Sequence, residues 1–166
     1  MNELGRSLFA PLLVALALGS VPGGARALDA AFPAYQPDRR VAARISSVGD
    51  ESMRPLMSAW LAALQKHQPG LRQGGTWQFT RGGSPFGALM FETADLAPLA
   101  RAPMPSELAP YAHQFAGDMM KSPLLVRVAG SPDSPAYIAV NKRPDSPLPP
   151  KVKEFLAFAL DRKSVV

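Results

Sequence analysis

The stretch that decides the fold is Val41 to Gly70, VAARISSVGDESMRPLMSAWLAALQKHQPG. Its first eight residues are rich in β-branched and small apolar side chains, which predicts a strand over 41–48. A turn follows at Gly49-Asp50-Glu51-Ser52. From Met53 to Leu64 the apolar residues recur every three or four positions, which is the spacing of one helical face. Pro69-Gly70 ends this predicted helix.

The rest of the chain repeats the alternation of strands and helices. We predict strands over 76–80, 94–99, 124–128 and 136–140. Helices are predicted over 86–91, from Ser106-Glu107 through Phe115, and after Pro149-Pro150, which open a last amphipathic segment. Ser84 is expected to cap the second helix, with Pro85 at its first position. Alternating strands and helices predict an α/β fold with three layers.

The composition is that of one folded domain. The chain has 166 residues, of which 47% are apolar and 19% charged, and it contains no cysteine. Disulfides and thiolate metal sites are therefore impossible. The net charge of +5 favours anions at long range, although it can equally serve solubility. No cluster of basic residues interleaved with aromatic ones is present, so we predict no nucleic-acid partner.

The N-terminal segment has the features of a signal peptide over residues 1–27. Arg6 precedes an uncharged run of 12 residues, Leu8 to Gly19, and Ala25-Arg26-Ala27 has the pattern that signal peptidase cleaves. Removal of the segment lowers the net charge from +5 to +4. Residues 28–40 are predicted to form a flexible arm and 41–162 the domain. We expect a periplasmic protein whose mature chain has no transmembrane span.

Two places share the order strand, glycine-containing turn, hydroxyl residue, helix. One holds Gly49 and Ser52, and the other Gly83 and Ser84. A hydroxyl group beside the free N–H groups of a helix start favours an anion, and glycine permits close approach of the backbone. If the two strands are parallel, both helix starts lie at the carboxyl edge of the sheet. The alternative is that both serines are ordinary helix caps.

Short motifs in a fixed order resemble those of periplasmic phosphate-binding proteins of ABC transporters. They cover roughly residues 41–162: Ile45 to Gly49, Ser52-Met53, Pro55 to Met57, Trp60 and Pro69; then Gly83-Ser84, Ala94 to Arg101, Met104 and Glu107; finally Tyr137 to Lys142, Pro149-Pro150 and Glu154 to Leu160.

The resemblance implies a type II periplasmic-binding fold. It also implies that Ser52 and Ser84 donate hydroxyl groups to phosphate, that Arg101 lies near the anion, and that an ABC permease receives the ligand. The chain departs from the family in three respects. The predicted strands over 124–128 and 136–140 nearly adjoin, so the fold is reduced to about one lobe. Asp50-Glu51 brings two carboxylates to the first turn, and the second turn has fewer hydroxyl groups.

An enzyme is not predicted, and no cofactor or metal is required. The nucleophile pattern G-x-S-x-G is absent, and the only histidines, His67 and His113, share no motif. Asp95 and Glu107 are more typical of caps and turns than of an acid–base pair. The prediction is therefore a receptor for phosphate or a related oxyanion, with Gly49, Ser52, Gly83, Ser84 and Arg101 as its site. The alternative is a cell-envelope interaction module without anion binding.

Overall fold

The computed structural model describes residues 35–82, 84–115 and 122–161. The predicted signal peptide, residues 28–34 of the predicted arm, and Gly83 lie outside the described residues.

Within the described residues, five strands form a two-stranded and a three-stranded sheet, which a bridge joins into one mixed layer. They are β1 (Ala43–Asp50), β2 (Leu71–Thr80), β3 (Ala97–Leu99), β4 (Leu124–Gly130) and β5 (Pro135–Val140). Strands β1 and β2 are parallel, and β5 lies between β3 and β4, antiparallel to both. A parallel bridge between Ser47 and Leu96 connects the two groups of strands. The strand order across the molecule is therefore β2-β1-β3-β5-β4, and of these five strands β5 alone runs in the opposite direction.

The part of the chain that the structure describes also has four helices: α1 (Arg54–His67), α2 (Phe86–Met90), α3 (Pro105–Gln114) and α4 (Pro150–Leu160). A short 3-10 turn, Glu51–Met53, leads into α1. The predicted elements are all present, but β2 begins five residues earlier than the pattern indicates. Its early half contains Gly74 and Gly75, which obscure the alternation of side chains, and it is held by parallel pairing with β1 from Leu71 onward.

The helices lie on the two faces of the sheet. Helices α1 and α4 pack with Ile138 and Val140 in one apolar cluster, whereas α2 and α3 pack with Ala139 and Tyr137 in the other. Alternate residues of β5 thus enter opposite clusters, as the pleat of a strand requires. The α/β prediction is confirmed, as a mixed domain with parallel and antiparallel pairing.

Residues 35–40 of the predicted arm are tied to the domain. The hydroxyl group of Tyr35 donates a hydrogen bond to Glu154, whose side chain lies in the interior. Gln68 also donates to Glu154, at 3.3 Å, and accepts the N–H of Val41 at 3.0 Å. The ring of Tyr35 packs edge-on against Phe158, with centroids 5.2 Å apart. Burial, followed by the bond to Glu154, raises the pKa of Tyr35 to about 12.

Replacing Tyr35 with phenylalanine is expected to lower the free energy of unfolding by about 1.5–3 kcal/mol, because the buried Glu154 carboxylate loses a donor. Urea denaturation at pH 7 measures the change. Tyr137→Phe is the matched control, since the Tyr137 hydroxyl has no hydrogen bond recorded within the described residues. Equal stability of the two variants would show that the bond from Tyr35 does not hold the arm.

Candidate functional site

The carboxyl ends of β1, β2 and β3 lie at one edge of the sheet, because these strands are parallel. A cavity of about 540 Å³ opens there between the ends of β1 and β2. This volume lies within the usual range for small-molecule pockets. Eight residues line the cavity: Asp50, Glu51, Ser52, Arg54, Pro55, Thr80, Arg81 and Gly82.

The two predicted serines are exposed at this edge, and neither caps a helix. Ser52 lies within the 3-10 turn, and Met53 occupies the N-cap position of α1 without a side-chain hydrogen bond. Pro85, not Ser84, is at the N-cap position of α2, so the capping prediction for Ser84 is wrong. The proline ring fixes its own backbone but supplies no capping oxygen. The alternative that both serines are ordinary caps is therefore excluded.

The two carboxylates of the first turn are engaged by other groups. Asp50 accepts the backbone N–H of Ala100 at 2.8 Å, which joins the end of β1 to the segment after β3. Glu51 pairs with Arg81 at 2.8 Å, and both side chains are solvent-exposed. Each negative charge thus has a partner. The two carboxylates therefore repel an anion in the cavity less than the sequence suggests.

Arg101 follows β3 and forms a two-pronged ion pair with Glu107 at the start of α3. The nitrogen–oxygen distances are 2.8 and 2.9 Å. Glu107 also accepts the backbone N–H of Met104 at 2.8 Å and a hydrogen bond from Ser84. Its side chain is 8% exposed, whereas that of Arg101 is 43% exposed. The Arg101 guanidinium holds the pKa of Glu107 at about 2, below its ordinary 4.5.

Replacing Glu107 with glutamine is expected to lower the free energy of unfolding at pH 7 by about 1.5–3 kcal/mol. Because the folded-state pKa is depressed, this stabilisation is present above pH 4.5 and is lost as the pH falls toward 2. The urea midpoints of the wild type and of Glu107→Gln, measured from pH 7 to pH 2, should therefore converge as the pH approaches 2.

The control for this change is Glu92→Gln. Glu92 pairs with Arg143 at 3.3 Å in an exposed position, so its loss should change stability by no more than about 0.5 kcal/mol. A constant difference between wild type and Glu107→Gln across the pH range would contradict the assigned ion pair.

The two predicted glycines have different outcomes. Gly49 is buried and is not among the residues that line the cavity. A Cβ atom at this position would lie 2.4 Å from the ring and the carbonyl oxygen of Pro98. Gly49 therefore permits β3 to pack against β1. Gly83 lies outside the described residues, and its neighbour Gly82 has a left-handed backbone with φ of 71°.

Sequence reasoning missed three polar residues that line the cavity: Arg54, Thr80 and Arg81. Arg54 donates to the carbonyl oxygen of Phe79 at 2.9 Å, so the first turn of α1 is fastened to β2. Thr80 is exposed at the end of β2, and Arg81 follows it directly. The position of Thr80 and Arg81 at a strand end, beside a glycine turn, is the signal that identifies them.

Within the described part of the chain, no cluster of three or more His, Asp or Glu residues able to hold a metal occurs. His67 packs against the aromatic rings of Tyr35 and Phe158 instead. Within the same residues, no helix is both long and apolar enough to cross a bilayer.

Comparison with known proteins gives a partial structural similarity and no sequence family. No family model matches the chain, and no curated protein matches it. The chain is similar to the structure of a possible phosphate binding protein from Planctomyces limnophilus DSM 3776, with a TM-score of 0.41 and 18% sequence identity. The overlap covers 54% of this chain and 29% of that one, so this chain spans less than a third of its neighbour's length. A TM-score below 0.5 does not establish a shared fold.

Proposed function

We propose that this chain is a secreted solute-binding domain that holds phosphate or a similar oxyanion at the carboxyl edge of its sheet. The single observation that carries the proposal is the cavity of about 540 Å³ between the ends of two parallel strands, with exposed hydroxyl groups and arginines in its lining. In open α/β sheets, ligands bind at this edge. The family resemblance of the sequence and its N-terminal pattern support the same assignment.

The donors for the anion come from both strand ends. Ser52 and Thr80 contribute hydroxyl groups, and Arg54 and Arg81 contribute guanidinium groups. Both side chains of the Arg81–Glu51 pair are exposed to solvent. Such a pair contributes at most about 1 kcal/mol, so Arg81 can turn to an anion at small cost.

Arg101 and Ser84 form a second group of donors at the same edge. Two nitrogens of Arg101 donate hydrogen bonds to Glu107, and the Arg101 side chain remains partly exposed. A guanidinium has five N–H donors, so it retains donors for another acceptor. We assign Arg101 the role of balancing charge and Ser84 that of a hydroxyl held near it through Glu107.

The site is open to solvent on one side, since the domain is reduced to about one lobe in this proposal. Part of the anion then stays hydrated, and we expect a dissociation constant on the order of 0.1–1 mM. Delivery to an ABC permease, with tighter enclosure of the anion by that partner, fits an open site of this kind.

Calorimetric titration of the protein with inorganic phosphate tests the proposal. We expect heat of binding in the wild type and a reduction of affinity by about tenfold in Ser52→Ala, because one hydrogen bond to a charged group is lost. Ser131→Ala, an exposed serine of the β4–β5 hairpin, is the control and should bind as the wild type does. Absence of heat with phosphate and with sulfate would refute the proposal.

The second candidate function is an envelope interaction module without anion binding. Met104 favours it, because this side chain is 50% exposed beside Arg101 and offers an apolar contact at the same edge. A wild type that gives no heat with oxyanions, while retaining full stability, would favour this candidate.

A further inference from the structure

A second cavity lies at the opposite edge of the sheet, before the start of β1 and beside the start of α4. Its volume is about 430 Å³. Two segments line it: residues 39–43, and Pro149, Pro150 and Lys151. We call this cavity the amino-edge groove. It shares no residue with the cavity at the carboxyl edge.

The amino-edge groove carries an excess of positive charge. Arg39 and Arg40 are exposed, and within the described ranges their side chains form no hydrogen bond or ion pair. Asp38, the carboxylate nearest in sequence, is bonded to Lys153 at 2.5 Å. Lys151 pairs with Asp95 at 2.8 Å. The side chains of both arginines are therefore open to an anion, although Asp38 offsets part of the charge of Arg39 and Asp95 part of that of Lys151.

The neighbouring strands add two further cations. Arg44 of β1 and Arg72 of β2 are direct partners in the parallel register, and both are exposed. Within the described residues, the one hydrogen bond that the Arg44 side chain donates goes to the carbonyl oxygen of Gln73, at 3.3 Å. Like charges in opposite positions destabilise a sheet. Neither arginine lines the groove, but an anion at this edge of the sheet would reduce the repulsion between them.

The groove also has an apolar wall. Five of its eight lining residues carry apolar side chains: Val41, Ala42, Ala43, Pro149 and Pro150. Its end at α4 is the first turn of an 11-residue helix, whose N-cap residue Pro149 makes no side-chain capping bond. The lining thus suits a ligand with one charged end and one apolar end, whereas seven of the eight residues that line the carboxyl-edge cavity are polar, charged or glycine.

We propose that the amino-edge groove binds a phosphate ester that carries an apolar group. The phosphate lies between Arg39 and Arg40, because guanidinium groups bind phosphate oxygens in pairs of hydrogen bonds. The apolar group lies on Ala42, Pro149 and Pro150. A soluble organic phosphate and the headgroup region of an acidic phospholipid share this chemistry.

Amide chemical shifts in the protein titrated with phenyl phosphate test this proposal. We expect shifts at Val41 to Arg44 and at Lys151, and a loss of affinity of about tenfold or more in the double variant Arg39→Gln/Arg40→Gln. The control is Lys66→Gln/Arg127→Gln, which removes the same charge at exposed positions outside the groove. Unchanged amides in the groove, or equal weakening in the control, would overturn the proposal.

Co-sedimentation with phosphatidylcholine vesicles, with and without phosphatidic acid, distinguishes a phospholipid ligand from a soluble phosphate ester. Sedimentation that needs both phosphatidic acid and the two arginines assigns the lipid, and binding of phenyl phosphate without sedimentation assigns a soluble ester. Failure of both refutes the groove as a site. The result is independent of the carboxyl-edge proposal, whose readout is the response of Ser52 and its neighbours to inorganic phosphate.

Discussion

Replacing Gly49 with alanine is expected to lower the free energy of unfolding by about 3 kcal/mol or more, at the upper end of the usual overpacking cost. The added Cβ would lie 2.4 Å from both the ring and the carbonyl oxygen of Pro98, and the ring and backbone of a proline cannot turn aside. The contact lies two residues beyond the Ser47–Leu96 bridge. The change therefore separates β1 from β3, where the two parts of the sheet meet.

The control for this substitution is Gly87→Ala in α2. No atom lies within 4 Å of a Cβ built at Gly87, and alanine is favoured over glycine in a helix by up to about 1 kcal/mol. Urea denaturation should show a lower free energy of unfolding for Gly49→Ala and a higher one for Gly87→Ala, each relative to the wild type. A Gly49→Ala protein as stable as the wild type would show that β3 does not approach β1 as described.

Replacing Trp60 with alanine is expected to cost about 3–5 kcal/mol, the range for loss of a large buried aromatic side chain. Trp60 is 1% exposed and lies on the face of α1 that packs against α4, with its ring centroid 6.5 Å from that of Phe155. Its indole N–H has no hydrogen-bond partner among the described residues. The loss is thus one of apolar burial and packing, and it leaves a cavity between the two helices.

Guanidinium denaturation of Trp60→Ala measures this cost, and Phe91→Ala is the control. Phe91 is 73% exposed, so its removal should change stability by no more than about 0.5 kcal/mol. Because domains of this size are stabilised by only about 5–15 kcal/mol, Trp60→Ala should remove a large share of the total. Similar midpoints for the two variants would contradict the burial of Trp60.

The elements of the fold could be predicted because the relevant signals are local. The stripe from Met53 to Leu64 identifies α1, and Pro149-Pro150 identifies the start of α4. The strand order could not be predicted, since it depends on pairings between distant segments, such as Ser47 with Leu96. The placement of β5 between β3 and β4 has no local signature either.

Local patterns also led to the predicted site residues, which stay a prediction. A turn rich in glycine and serine after a strand is visible in the sequence, and it located Ser52 and Ser84 at the carboxyl edge. The pairing of Arg101 with Glu107 joins β3 to α3, and the bond from Ala100 to Asp50 spans 50 residues. The sequence alone does not show that Glu107 and Asp50 have these partners. Gly49 was interpreted as a ligand contact, whereas its neighbour in space is Pro98.

The two edges of the sheet differ in the ligand that we propose for each. The carboxyl edge offers hydroxyl groups and arginines, beside two carboxylates that already have partners, in a cavity that we propose for an inorganic oxyanion. The amino edge offers two exposed arginines beside alanine and proline side chains, in a groove that we propose for an organic phosphate. Variants at Ser52 and at Arg39 and Arg40 should therefore affect different ligands.

Diffraction from crystals soaked in tungstate tests the carboxyl-edge site most directly, because tungstate is tetrahedral like phosphate and scatters strongly. The account predicts an anomalous peak in the cavity beside Ser52, Thr80 and Arg81. An empty cavity, with tungstate bound elsewhere on the protein, would contradict it.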